Sequence, residues 1–350
     1  MRKRISSLII LSVGLALAYW FVRRLEWQAV GGHLRAMRIW PVLLAAFLIN
    51  LTLLVRSLRW QVFLAPIARV QLGNVFAATT IGFGSVFIFG RAGEIVRPMV
   101  LSLRERVQPS ATIATIIVER VFDMTAVSML FSFNLLVFTL PPDAGMDEST
   151  LATLHRVGLV LTVLVLLGIA ALVIFRLKTT WLLGLIERNT RRLPTGLMRA
   201  IVTFISHLSS GFSVLLNSRG LVVSAIHTVL VWALVTGATW LVFLAFGLDL
   251  SLSATIFVLG FGLVGSLVPL PGGAAGAFHA AAAAGLIFLG IERNLAASIA
   301  IVLHFVAFGP PFVLALFYLM RDGIGWGRLR EMMTYTEGSV TEVAPTSTSD

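Results

Sequence analysis

Cysteine is absent from the 350 residues, so neither a disulfide nor a thiolate metal site can form. The six histidines are scattered, with no HExxH or HxxxH pair, and no dedicated metal site is expected. There is no Walker A sequence and no G-x-S-x-G, so energy from bound ATP is not indicated within the chain and no cofactor is implied. Charge is also scarce. Charged residues make up 12% against 58% apolar, and the mean hydropathy is +0.94. A soluble domain of this length could not hide so much apolar surface. A bilayer can, and there the backbone must satisfy its own hydrogen bonds, which points to helices. The apolar runs are continuous rather than alternating, which excludes an outer-membrane barrel.

A spanning helix needs about 20 mostly apolar residues. Six runs qualify: Ile5–Val22, Trp40–Leu64, Ser110–Leu140, Val157–Phe175, Leu221–Phe246 and Leu295–Met320. The first begins like a signal peptide, but its apolar run continues past Ala18 and reads as an uncleaved span. Two more apolar stretches, Leu72–Gly90 and Ser253–Gly290, are broken by glycine and proline. The net charge of +11 is not a nucleic-acid signal, because the basic residues lie in loops, where they retain segments in the cytoplasm. The basic loop from Arg176 to Arg219 and the Arg2-Lys3-Arg4 start are placed inside; the acidic loop with Asp143, Asp147 and Glu148 is placed outside. Both termini then lie in the cytoplasm. The basic stretch Arg23–Arg38 runs against this rule and reads as an amphipathic helix along the interface. Residues 1–323 form one integral membrane domain, and 324–350 a cytoplasmic tail, disordered from about 335.

The two broken stretches resemble each other. One carries Gly82-Phe83-Gly84 before Gly90-Arg91-Ala92-Gly93-Glu94; the other carries Gly260-Phe261-Gly262 before Pro269-Leu270-Pro271-Gly272-Gly273. As re-entrant hairpins they would enter from opposite faces, the layout of an inverted repeat with a site near the midplane. The expected fold is therefore an all-α polytopic membrane protein: about six full spans plus two re-entrant broken-helix hairpins. The plainer alternative is that glycine and proline only kink packed spans.

Charges within these segments are the candidate site. A lone charge at the bilayer centre costs roughly 2.5–3.5 kcal/mol, so it must pair, face a wet cavity or do work. Glu119 and Asp123 share a helix face, Arg120 can reach Asp123, and the trio needs another arginine, for which Arg91 and Arg97 are candidates. Arg91, Glu94 and Arg97 sit beside a glycine-rich break, where guanidinium forks suit phosphate. Arg56 and Arg59 share a face near the end of a span, either recruiting anionic lipid or snorkelling to headgroups beside Trp60. His279 follows the Pro-Gly-Gly turn and His304 lies mid-span; each could titrate if wet, or serve as an interhelical contact. Whether the trio lies on a substrate path or only packs helices stays open.

In order, Arg56-x-x-Arg59-Trp60, Gly90-Arg91-Ala92-Gly93-Glu94-x-x-Arg97, Val118-Glu119-Arg120-x-x-Asp123 and Pro269-x-Pro271-Gly272-Gly273 resemble the flippase-like membrane domain family, also called the lysylphosphatidylglycerol synthase transmembrane region family. The resemblance covers most of Trp40 to Gly323. It implies a polytopic domain linked to moving lipids across a bacterial or archaeal cytoplasmic membrane. It also implies no aminoacyl transfer here, because the soluble synthase domain of the family's two-part members has no counterpart after Met320. The family pattern has Pro where Phe89 stands, Glu near His279 and Arg near His304. An acid and a base lost together suggest one ion pair replaced as a unit, and with it a different headgroup.

The expected function is lipid translocation, without enzymatic activity. The partner would be an anionic phospholipid or a lipid-linked phosphate, bound by Arg56, Arg59, Arg91, Glu94, Arg97, Glu119, Arg120, Asp123, Gly272, Gly273, His279 and His304. The headgroup would cross in a wet groove while the tails stay in the bilayer. Two rivals remain: an intramembrane transferase with Glu119 or Asp123 as general base, and a scaffold for a lipid-synthesis enzyme.

Overall fold

The computed structural model describes residues 25–137, 148–177, 218–268 and 270–333, together with Tyr19, Val22 and Arg23. The expected first span, the acidic loop up to Asp147, most of the basic loop before Arg219 and the tail beyond residue 333 lie outside the described residues. No strand occurs among the described residues. The helices are α1 (Trp27–Ala36), α2 (Ile39–Leu64), α3 (Leu72–Phe89), α4 (Val96–Glu105), α5 (Pro109–Leu136), α6 (Glu148–Leu177), α7 (Ser218–Ala245), α8 (Leu252–Gly265), α9 (Pro271–Phe288), α10 (Arg293–Arg321) and α11 (Trp326–Met333), with a 3-10 turn at Gly90–Ile95 between α3 and α4. The chain is an all-α polytopic membrane protein: five described helices have the length and composition to cross a bilayer, namely α2, α3, most of α6, α7 and α10. At 28 residues α5 is about 42 Å long and could also cross. Glu119, Arg120 and Asp123 set it apart from those five.

Local chemistry places the helix ends. Pro109 opens α5 at a position where the missing N–H has no helical partner to lose. Ser251 caps α8 by accepting the Ala254 N–H at 3.2 Å. The Glu292 carboxylate caps α10 by accepting the N–H groups of Asn294 and Leu295, each at 2.8 Å. The basic stretch before α2 holds the ten-residue helix α1, whose Val30 is buried in a small cluster with Leu25 and Ala297.

Each broken stretch is a helical hairpin. In the first, the open ends are held by Glu105, whose Oε1 accepts the Gln71 N–H at 3.0 Å and the Asn74 Nδ2–H at 2.7 Å. Gly82 of α3 faces Arg97 of α4, and Gly93 of the turn lies on the Ser85 backbone; a β-carbon at either would collide. The sequence reading takes Leu72–Gly90 as a broken stretch and not as a full span, yet α3 runs as one helix of 18 residues, about 27 Å. In the second hairpin, Gly265 of α8 admits Ala277, Phe278 and Ala281 of α9, and the Phe257 and Phe288 rings lie 5.2 Å apart. The glycines of both GFG triplets serve close approach. Gly82 admits Arg97 and Gly84 admits Ala315 of α10; Gly260 admits Phe131 of α5, and Gly262 lies against the Phe278 ring.

The tips of the two hairpins meet. Gly90 has φ +62° and ψ −152°, a conformation open to glycine alone, and its missing side chain leaves room for the Leu270 carbonyl. Opposite it, Gly272, Gly273 and Ala274 all take left-handed backbone at the start of α9. One apolar core joins α2 with α7 to α10, and a second joins the far end of α2 with α3, α4, α5 and α11, including Leu329 and Met332. The charged residues lie where these two bodies and the tips converge.

Candidate functional site: a buried charge cluster beside the hairpin tips

Helix α5 carries Glu119 and Asp123 one turn apart, both buried. Two other helices send guanidiniums to them. From α2, Arg59 donates from Nη1 to Asp123 Oδ1 at 2.7 Å and from Nη2 to Glu119 Oε1 at 3.0 Å. Its Nη1 also lies 2.8 Å from the Thr228 hydroxyl of α7. Arg56, one turn earlier, donates to Asp123 Oδ2 at 3.1 Å. From α4, Arg97 donates to Glu119 Oε1 at 2.9 Å. Arg120 of α5 itself stands 3.4 Å from Glu119 Oε1 and 3.5 Å from Asp123 Oδ2.

Aromatic faces complete the setting. The Arg97 guanidinium lies 4.1 Å from the Trp60 ring, and Trp60 is itself fixed by donating to the Thr115 hydroxyl at 2.8 Å. Arg56 lies 5.2 Å from the Phe83 ring. Arg59 is fully buried and Arg97 only 3% exposed, so neither reaches bulk water. Arg56 and Arg59 are therefore part of the cluster, and the reading of them as headgroup anchors at a span's end does not hold. Arg97, one of the two candidates for the trio's outside arginine, does reach Glu119, and Arg59 reaches it as well.

The cluster is over-supplied with positive charge. Four guanidiniums meet two carboxylates, and Glu94 in the adjoining wall reduces the excess from two charges to one. Donors are also left over: Arg97 Nε and Nη2, Arg56 Nε and Arg120 Nε are buried with no hydrogen-bond partner among the described residues. Each such donor costs free energy unless something accepts from it. Arg56, Arg97, Arg120 and Asp123 line a cavity of about 250 Å³ that runs to the hairpin tips, where Gly90, Leu270, Gly273 and Ala274 form its wall. Arg91 belongs to the same tip, and its side chain lies outside the described residues.

The histidines form a second group at the far tip. His304 of α10 donates from Nε2 to the Gly272 carbonyl at 2.9 Å, tying α10 to the left-handed turn. The His279 and His304 rings are 4.6 Å apart, with Phe87, Phe278 and Phe308 around His304. Two of the three positions where the sequence departs from the family pattern are thus in contact. Among the described residues no three His, Asp or Glu side chains are placed to hold a metal.

The pattern described as the lysylphosphatidylglycerol synthase TM region matches residues 5–315. The chain belongs to that family. Within it, two proteins of Methanothermobacter thermautotrophicus (strain Delta H), both described as UPF0104 membrane proteins, are similar to it. One is 27% identical over 295 residues, covering 81% of this chain and 84% of the relative. The other is 25% identical over 278 residues, covering 76% and 81%. Every element of the charge cluster falls inside the span matched to the lysylphosphatidylglycerol synthase TM region family. Sequence reading missed Thr228 and Trp232, the latter a wall of the cavity. A threonine and a tryptophan within an apolar helix carry no pattern that would single them out.

Proposed function

We propose that the chain translocates a lipid with an anionic headgroup across the cytoplasmic membrane. The headgroup occupies the charged cavity, with its acidic oxygens accepting from Arg97, Arg120 and Arg56, while Glu119 and Asp123 hold those guanidiniums in place. The two hairpins act as re-entrant arms from opposite faces, and their meeting tips bound the path. Both termini lie in the cytoplasm. A lipid-synthesis enzyme is the expected supplier of substrate, and the movement is downhill, ion-coupled or driven by such a partner. The observation that carries this reading is the cluster of surplus guanidinium donors on a cavity deep inside an apolar bundle. Intramembrane charges of this kind mark paths and binding sites. The transferase reading is weaker, because both candidate general bases are already engaged by guanidiniums.

The test uses proteoliposomes with fluorescent anionic and zwitterionic phospholipids and dithionite quenching of the outer leaflet. Wild type is expected to speed the loss of inner-leaflet signal for the anionic probe. Arg120→Ala, which removes the most exposed guanidinium of the cluster, is expected to slow it by about tenfold, the worth of one charge-assisted hydrogen bond. Equal rates for wild type and Arg120→Ala at equal abundance would sink the proposal. Release of a new lipid product by the purified protein would transfer the site to the enzyme reading.

A further inference from the structure

A second cavity, of about 130 Å³, lies among α2, α7, α8, α9 and α10. It shares the walls Leu263, Ser266 and Phe308 with the charged cavity, so the two adjoin. Their linings are opposite in kind. The smaller cavity has only two polar side chains, and both are satisfied within their own helices. Thr239 Oγ1 donates to the Val235 carbonyl at 2.9 Å, and Ser266 Oγ donates to the Leu263 carbonyl at 2.6 Å. A buried water needs two to four polar partners, so this space favours hydrocarbon over water. It exists because small residues, among them Ala238 and Ala282, each 1% exposed, stand where larger ones would fill it. An empty void forfeits dispersion contacts along its lining. Next door, Arg97 Nε and Nη2 and Arg120 Nε lack acceptors among the described residues.

A dry apolar chamber opening beside a cationic one is complementary to an amphiphile, not to a free anion. We propose that the smaller cavity takes the first segment of the hydrocarbon chain joined to the anionic group that enters the charged cavity. The site then reads the anion and the beginning of its chain together, and that segment travels inside the protein rather than in the bilayer. This rests on the lipid reading above and adds a requirement to it: the acidic group must lie close to a single chain, as in an alkyl or prenyl phosphate.

The experiment measures binding to the full chain in nanodiscs for inorganic phosphate, butyl phosphate, octyl phosphate, geranyl phosphate and octanol. Wild type is compared with Ala282→Leu and Ala238→Val, which fill the apolar chamber, and with Arg120→Ala. Bilayer partitioning of each probe is the same for every protein and cancels. Ala282→Leu is expected to weaken octyl or geranyl phosphate at least tenfold, and butyl phosphate in the same direction, while changing inorganic phosphate less than twofold. Ala238→Val adds only two methyl groups, so it keeps the test alive if the larger substitution fails to fold, as judged by thermal unfolding. Its expected effect is about threefold in the same direction. Preference for geranyl over octyl phosphate would identify a prenyl source, and the reverse a saturated alkyl source. Chain-length dependence that survives both filling substitutions would overturn the inference, as would equal affinity for inorganic and octyl phosphate, or no binding of any probe. If the filling variants weaken octanol and octyl phosphate alike while Arg120→Ala changes nothing, the headgroup reading fails and the chain pocket stands. If Arg120→Ala weakens every phosphate and filling changes nothing, the chain pocket alone fails.

Discussion

The two hairpins share a plan and differ in how they are held. In the first, α3 and α4 close around Gly82 and are tied through Arg97 to the carboxylate of Glu119, at a distance of 2.9 Å. In the second, α8 and α9 close through Gly265 and stacked phenylalanines, and α10 reaches the tip through one imidazole, His304. One hairpin is anchored by charge and the other by shape. The difference teaches where chemistry can reside when two hairpins meet at their tips. Directional, high-stakes contacts gather on one hairpin, while the other presents backbone, with Gly272, Gly273 and Ala274 all left-handed at its tip.

That contrast can be broken from the charged side first. Arg59→Met removes the guanidinium that bridges both carboxylates and takes from Asp123 Oδ1 its donor at 2.7 Å. A loss of roughly 3–5 kcal/mol is expected, seen as low membrane yield and a lower unfolding temperature in detergent. Substitution on the shape side is expected to cost less. Gly265→Ala should lose about 1–3 kcal/mol through overpacking against Ala277 and Ala281, while the charge cluster keeps its geometry. Gly82→Ala meets the same order of cost but displaces Arg97, so it should also slow lipid movement; equal transport defects in the two variants would erase the distinction. A gain is expected at Ala274→Gly. Its φ of +58° is strained for an L-residue, and relief should raise stability by about 1 kcal/mol at most, read from thermal unfolding.

The smallest effect concerns the end of the second hairpin furthest from its tip. Partial burial raises the pKa of Glu292, but the N–H groups of Asn294 and Leu295, with His33 nearby, more than offset this and hold it below the ordinary carboxylate value. Its folded-state pKa is depressed. The cap is therefore fully present above the unfolded value of 4.5 and is lost as pH falls through the folded one. Glu292→Gln should lower stability by roughly 0.5–1 kcal/mol at pH 7, and the gap between the two proteins should close on acidification. A gap that persists well below pH 4 would assign the effect to something other than the carboxylate charge.

Much of this arrangement was legible in the chain because helices in lipid announce themselves by long apolar runs. The expected Trp40–Leu64 corresponds to α2 at Ile39–Leu64, and Leu295–Met320 to α10 at Arg293–Arg321. The trio's need for an outside arginine followed from its charge. Two features were not legible. Arg56 and Arg59 were readable equally as interfacial anchors, because position along a helix fixes a side chain's face but not how deep its neighbours bury it. The length of α3 was hidden by Gly82 and Gly84, which read as breakers along the chain and act as contact points for Arg97 and Ala315 in space. The pairing of His279 with His304 was foreshadowed only by their joint departure from the family pattern, since 25 positions separate them along the chain.

Trp60 has a consequence of another kind. Its indole is fully buried, its N–H is fixed on Thr115, and a guanidinium stands 4.1 Å from its ring. Indole absorption and emission respond to the local electric field, and this ring is held at constant orientation beside a charge that the ligand would neutralise. Among the eight tryptophans, the signal removed by Trp60→Phe is thus a native optical gauge of occupancy at the cluster. It would allow loading and release to be followed in real time, with no label attached to either protein or lipid.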